Sequence, residues 1–238
     1  MGAAWALVVE MHLRIRRHAV LISKTVRSPA THDAPVIGNP YDSDLFRQPV
    51  IAAEPGTIIF SGRVNRGKGI FHLVEAVRLL RLRGVPLKVT FVGSGPDDME
   101  VRDVIASAGL DECIVMVGHR EPEQVAALLA RHQIAAIPSV WDEPFGIVAL
   151  EAIACGCYVV AFPDGGLPFA FGEAGLVTAE KSPAALANAI QCLLTDESLR
   201  RRIDENRQAQ LNRFSRGTIC ARLLEILSAA QHRSNTPR

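Results

Sequence analysis

Two alternating hydrophobic periods do most to constrain the fold of this chain. From residue 57 onward, short apolar or β-branched runs at 57–60, 87–92, 114–117, 134–137 and 158–162 are separated by longer segments at 70–80, 97–108, 122–131 and 146–154. In the first long segment Ile70, Leu73, Val74, Val77 and Leu80 recur three or four residues apart, the spacing that lines one face of a helix. Five strands with four intervening helices predict an α/β fold, a doubly wound, Rossmann-like parallel sheet covered on both faces. Glycine punctuates the strand ends at Gly62, Gly93 and Gly118, where a tight turn or a close-approaching ligand excludes a side chain. Ligands of such sheets lie outside the carboxyl ends of the strands, so these turns are where chemistry is to be sought.

Beyond Pro183 three further helical segments, 184–194, 198–211 and 218–230, are expected to close the domain. The first 50 residues differ. An amphipathic basic stretch (5–17) and a short apolar run (19–22) precede a Pro- and Asp-rich segment (29–49), too little chain for a second domain. The 238 residues are 48% hydrophobic, enough for one substantial core. Lys and Arg number 26 against 25 Asp and Glu, so no global field attracts nucleic acid. No apolar run near the start approaches the ~18 residues of a membrane span, and Arg14, Arg16 and Arg17 follow the apolar stretch where a signal peptide would have them precede it. A cytoplasmic protein is expected, with at most peripheral membrane contact through 5–17; a buried helix is the other reading of that stretch. The five cysteines, Cys113, Cys155, Cys157, Cys192 and Cys220, form no C-x-x-C pair and read as reduced thiols.

Three motifs bear on chemistry. Residues 62–69, GRVNRGKG, nearly fit the phosphate loop G-x-x-x-x-G-K-[ST], directly after a strand and before a helix. The final hydroxyl, which holds Mg²⁺ in NTPases, is replaced by glycine, so the loop reads as an anion site without that metal ligand. Arg63, Lys68 and backbone N–H groups at a helix start are its expected anion donors. Lys68 is one of only four lysines in an arginine-rich chain. Asp42-Ser43-Asp44 has a metal-chelating spacing, but its flanking prolines favour a turn. In 138–160, PSVWDEPFGIVALEAIACGCYVV, Glu143 lies in a loop after a strand, Gly146 opens a helix and Glu151 follows eight residues after Glu143. Eight residues advance at most ~12 Å along a helix, more than the roughly 5–9.5 Å between paired carboxylates of glycoside hydrolases. Such a separation could span a nucleotide sugar, with the helix N-terminus facing a diphosphate between the two acids. The plainer reading is a helix-start acid and a surface acid.

That segment resembles the E-x7-E region of retaining glycosyltransferases of the two-domain GT-B architecture, most closely the large family 4 of sugar transferases. Gly62-Arg63 with Lys68 resembles the family's G-R…K-G donor loop. Pro138-Ser139, Glu143 to Gly146, Leu150-Glu151-Ala152, Gly156, Gly165 to Pro168 and Phe214-Ser215 continue the likeness across 57–230. It implies the C-terminal half of a GT-B architecture: a donor-binding domain at 51–231, a remnant or linker of the acceptor domain at 1–50 and a frayed tail at 232–238. The implied activity is hexosyl transfer from a nucleotide-diphosphate sugar to an acceptor hydroxyl with retention, as in polysaccharide or lipopolysaccharide biosynthesis. The nucleotide sugar is then substrate, and no metal or other cofactor is required. Arg63 and Lys68 would contact the diphosphate and act with Glu143 in catalysis, Glu143 holding sugar hydroxyls. Gly62, Gly93, Phe145, Gly146, Ile147 and Val148 would line the donor site, Glu151 would accept from the ribose, and His119 would approach the base.

The sequence departs from the family at Phe169, where glutamate is usual, and at Cys157, where proline is usual. Only a remnant of the acceptor domain is recognisable, so the acceptor wall, for a glycan or glycolipid, is expected from a separate polypeptide or from a second copy in a homodimer. A non-catalytic nucleotide-sugar-binding subunit or sensor is the alternative. A dinucleotide-dependent oxidoreductase is disfavoured, because Gly93-Ser94-Gly95-Pro96 lacks the third glycine of G-x-G-x-x-G and carries a proline.

Overall fold

In a computed structural model of the chain, residues 20–26, 34–48 and 52–234 are described. The expectations for 5–17 and for the last four residues of the tail lie outside them. Six parallel strands, β1 (Glu54–Ser61), β2 (Lys88–Val92), β3 (Ile114–Gly118), β4 (His132–Ile137), β5 (Tyr158–Ala161) and β6 (Gly175–Val177), form one sheet in the order β3-β2-β1-β4-β5-β6. Among the described residues eight α-helices accompany them: α1 (Ile70–Leu82), α2 (Asp98–Ser107), α3 (Pro122–Leu129), α4 (Ile147–Ala154), α5 (Leu167–Phe171), α6 (Pro183–Thr195), α7 (Glu197–Arg213) and α8 (Arg216–Ser234). The doubly wound α/β fold is therefore present. Sequence periodicity missed β6 and α5, because three strand residues and five helical ones are too short to establish a period.

Alternation within the strands explains the two layers. Ile58, Phe60, Val89, Phe91, Ile134, Ala136 and Val160 point into a core with buried residues of α1, α2 and α6. Their neighbours Ile59, Val92, Ala135, Ile137, Val159 and Ala161 point into a second core with α3, α4, α5 and Phe214. A strand buried on both faces must be apolar throughout, which is why these runs do not alternate in polarity. The registers Ile58↔Val89, Ile58↔Ile134 and Ile134↔Tyr158 keep each layer's residues level across the sheet.

The residues before β1 belong to this packing. Leu21 bridges to Val36, Ile37, Tyr41 and Phe46 are buried in the second core, and Ser23 Oγ donates to the Pro144 carbonyl. Asp42 and Asp44 both pair with Arg216, at 2.6 and 2.8 Å, while Asp42 Oδ1 accepts the Asp44 N–H at 3.1 Å. The D-x-D motif is thus a turn tied to α8. All five cysteines are free, with Cys113, Cys155 and Cys157 buried. Among the described residues, no helix is long and apolar enough to cross a membrane. Helix α8 reaches Ser234, beyond the end expected for it.

Phe214 closes the second core between α7 and α8, edge-on to Phe145 at 5.2 Å and Phe169 at 5.6 Å, with no exposed surface. Phe169, at the position where the family pattern has glutamate, thus serves packing. Removing a fully buried aromatic ring typically costs about 3–5 kcal/mol. Phe214→Ala is expected to lose that much in urea unfolding, and Phe214→Leu substantially less.

Candidate functional site

The strand order reverses direction between β1 and β4, so the chains leaving their carboxyl ends diverge and open a crevice. The β1–α1 loop, 62–69, forms one lip and the β4–α4 loop, 138–146, the other. Backbone contacts fasten them together: the Gly67 carbonyl accepts N–H groups from Val140 at 2.9 Å and Trp141 at 3.2 Å. Gly69, at φ +71, runs so close to the second loop that a Cβ would stand 1.7 Å from the Pro138 carbonyl oxygen. Gly93, at φ +127, approaches Gly62 in the same way, its Cβ position 1.9 Å from the Gly62 carbonyl oxygen. The glycines of the 93–95 turn thus pack loop on loop.

Across the crevice, Lys68 Nζ stands 2.5 Å from Glu143 Oε1, and Ser139 Oγ donates to the same oxygen at 2.7 Å. Glu143 is 7% exposed. Burial pushes its carboxyl up, but hydrogen bonds from Lys68 and Ser139, the Lys68 charge and the Trp141 indole outweigh this and hold it below the usual carboxylate range. Lys68 is positioned by its own turn, where Asn65 Oδ1 accepts the Lys68 N–H at 2.9 Å. On the outer side, Lys181 Nζ donates to the Val140 carbonyl at 2.7 Å and pairs with Asp164 at 2.9 Å and Asp142 at 3.5 Å. The Gly166 N–H donates to the Glu143 carbonyl at 2.6 Å, so the β5–α5 loop is fastened to this wall as well.

The cradle of backbone amides expected at 62–69 is largely committed elsewhere. Gly62 donates to Val92, Val64 to Ser94, Arg66 to Asp97, Lys68 to Asn65 and Gly69 to Arg66. What this loop offers an anion is chiefly side-chain charge. Arg66 is paired with Glu100 and lies over the Phe71 ring, whereas exposed Arg63 has no hydrogen-bond or ion-pair partner among the described residues. Amides are available instead at the start of α4. Gly146, at φ +90, is the N-cap without a side-chain bond, and the Ile147 and Val148 N–H groups have no acceptor among the described residues.

Glu151, one turn farther along α4, is half-buried, and its carboxyl has no hydrogen-bond or ion-pair partner among the described residues. Burial, with a smaller push from the Asp42 charge, raises its carboxyl to about 7. Phe145 is buried in the aromatic cluster, so only its backbone can face a ligand. His119, in the loop after β3, is 73% exposed with Nε2 3.9 Å from Glu121. The structure therefore brings Arg63, Lys68, Glu143 and the α4 amides to one crevice and leaves His119 on an edge-strand loop. The sequence reading did not assign site roles to Ser139, Trp141 and Lys181. Their available signals were a hydroxyl four residues before Glu143, a rare tryptophan in a strand-end loop and one of four lysines.

The sequence pattern described as "Glycosyl transferases group 1" matches residues 42–210. The chain belongs to this family. It is 34% identical over 186 residues to the D-inositol 3-phosphate glycosyltransferase of Corynebacterium jeikeium, covering 73% of this chain and 44% of that protein. It is 30% identical over 202 residues to the glycogen synthase of Mycobacterium tuberculosis, covering 82% of this chain and 49% of that one. The chain thus spans less than half of these glycosyltransferases. Anabaena Alr3699/HepE, solved in complex with UDP and glucose, has the same fold with a TM-score of 0.79 at 24% identity, over 94% of this chain and 66% of that one. Group 1 membership makes the chain a transferase relative and removes the oxidoreductase reading.

The Glu151 shift has a signed consequence. The folded chain holds this proton more tightly than the unfolded one, so the carboxyl adds stability below its ordinary value of 4.5 that is lost as pH rises through about 7. Glutamine cannot titrate. Wild type should lose about 3 kcal/mol relative to Glu151→Gln between about pH 4.5 and pH 8 in urea unfolding, and parallel profiles would show that Glu151 ionises as it does in water.

Proposed function

We propose that the crevice binds the nucleotide-diphosphate sugar of a retaining hexosyltransferase of the family 4 type, with residues 51–231 as the donor-binding domain of a GT-B enzyme. The observation that carries this reading is the meeting of Lys68 and Glu143 at the switch point, 2.5 Å apart and fastened by Ser139. Arg63 and Lys68 take the diphosphate, reinforced by the amides of Ile147 and Val148 at the positive end of α4. Glu143, held ionised, accepts hydrogen bonds from hydroxyls of the sugar. Glu151 takes the ribose and His119 lies toward the base. UDP and glucose in a protein of the same fold, and sugar transfer by the named relatives, support a nucleotide sugar as substrate.

When the bond from the anomeric carbon to the diphosphate breaks, its electron pair stays on the diphosphate oxygen. The rising negative charge faces Arg63 and Lys68, and fixed groups of this kind stabilise a transition state because they need not reorganise as charge develops. The chemistry asks for cations and no resident metal, so nucleotide sugar alone is proposed to occupy the site. The acceptor hydroxyl, on a glycan or glycolipid, must be held against the same carbon with water excluded, and a second wall beyond this domain supplies that hold.

The test compares Lys68→Ala with Lys88→Ala by calorimetry, using UDP, GDP and ADP. Lys88 pairs with Glu54 at the amino end of the sheet and serves as the control. Lys68→Ala is expected to abolish or strongly weaken binding of one nucleoside diphosphate and, in transfer assays with the acceptor wall supplied, to lower kcat by about 10²–10³. Equal affinities for the two variants would remove the diphosphate assignment, and binding without transfer to any acceptor would favour a binding-only role.

A further inference from the structure

Trp141 is the only exposed Phe, Tyr or Trp side chain among the described residues; every other aromatic ring of these types is buried or half-buried. The residue is 51% exposed. A large apolar ring left in water is unremarkable on a mobile loop, but this one stands on a fixed mount. Its own N–H and that of Val140 donate to the Gly67 carbonyl, and Lys181 holds the Val140 carbonyl from the other side. The ring lies over the charge of the site, with Lys68 Nζ 5.5 Å from its centroid, and its residue is separated by one position from Glu143. Folding thus positions the indole firmly without burying it, the arrangement expected of a surface that a ligand completes.

The neighbouring groups indicate the ligand's chemistry. Lys68 provides a cation and Glu143 a buried, ionised hydrogen-bond acceptor, while the indole provides a flat apolar face. A pyranose has hydroxyl edges and a face of C–H bonds, and in a nucleotide sugar it is joined to a diphosphate. Those three features match the three protein groups one to one. We propose that Trp141 is the stacking platform for the transferred pyranose, the residue that sets how firmly the sugar is held and which of its faces is accepted. This rests on the donor reading above and adds to it a specificity determinant outside the motif residues.

The test uses tryptophan emission. Only Trp5 and Trp141 are present, so in a Trp5→Phe background the emission reports Trp141 alone. The full chain is titrated with UDP and UDP-glucose, GDP and GDP-mannose, and ADP and ADP-glucose. For the pair that binds, the sugar conjugate should change the emission more than the bare diphosphate does. The affinity gained from the sugar, taken by calorimetry as the ratio of the two Kd values, should fall about tenfold in Trp141→Ala and be largely restored in Trp141→Phe. Affinity for the bare diphosphate should stay within about twofold in both variants. An unchanged ratio in Trp141→Ala, with the diphosphate still bound, would overturn the platform while leaving the donor site intact. Failure of wild type to bind any of the three diphosphates would overturn the donor reading and the platform together.

Discussion

The Gly67 carbonyl carries more of this structure than its size suggests. It accepts two N–H groups from the loop beyond β4 while belonging to the loop beyond β1, and so ties the two halves of the sheet where their order reverses. Each such bond contributes only about 0.5–1.5 kcal/mol net. Its consequence is geometric, because the diverging loops that leave the carboxyl ends of these neighbouring strands have no sheet bonds to align them. With Gly69 against the Pro138 carbonyl, the stitch fixes Lys68 on one loop and Ser139, Trp141 and Glu143 on the other. Gly69, which looks like part of a phosphate loop in sequence, serves first to let two backbones touch.

Once the loops are registered, the two glutamates of the α4 region acquire opposite electrostatics. Glu143 is the more buried by surface exposure, yet a lysine and a serine share its oxygen and keep it charged. Glu151 keeps more surface, but its carboxyl has no hydrogen-bond partner among the described residues to offset burial, and Asp42 adds a like charge, so it is raised to about 7. Burial alone therefore ranks them wrongly. What separates them is whether compensating donors converge on the carboxylate, the usual way in which a fold gives two identical side chains different roles.

The sheet was legible in the sequence because strands buried on both faces read as uninterrupted apolar runs, and because each helix repeated its apolar residues over two turns or more. β6 and α5 were not, being shorter than any period. At the site, the Gly62–Lys68 loop and the Glu143–Glu151 spacing were visible as patterns, and the structure brings Arg63, Lys68 and Glu143 to one crevice. The sequence could not show that Arg66, Lys68 and Gly69 would give their amides to Asp97, Asn65 and Arg66, which turns an expected amide cradle into a site of side-chain cations. Nor could it show that Lys181, beyond the last strand, would hold the Val140 carbonyl, since no local spacing encodes a contact across 41 residues.

The charges of the β1–α1 loop then set the terms on which an anion can enter. Of its three cations, Arg66 is engaged by Glu100 and Lys68 by Glu143, leaving Arg63 uncommitted among the described residues. On the proposed donor reading, a diphosphate would find Arg63 unpaired and would reach Lys68 only by competing with a carboxylate for its ammonium. That competition would loosen Glu143 from Lys68 while Ser139 still held it, leaving an ionised oxygen to accept from a hydroxyl. On that reading phosphate and sugar would be read by one coupled pair: the anion would draw the cation away and the released carboxylate would take up the neutral polar group beside it. A phosphate without a sugar would leave Glu143 buried with one donor fewer, and a sugar without a phosphate would have to displace Lys68 with neutral hydroxyls. The ion pair therefore favours the two groups arriving together in one molecule.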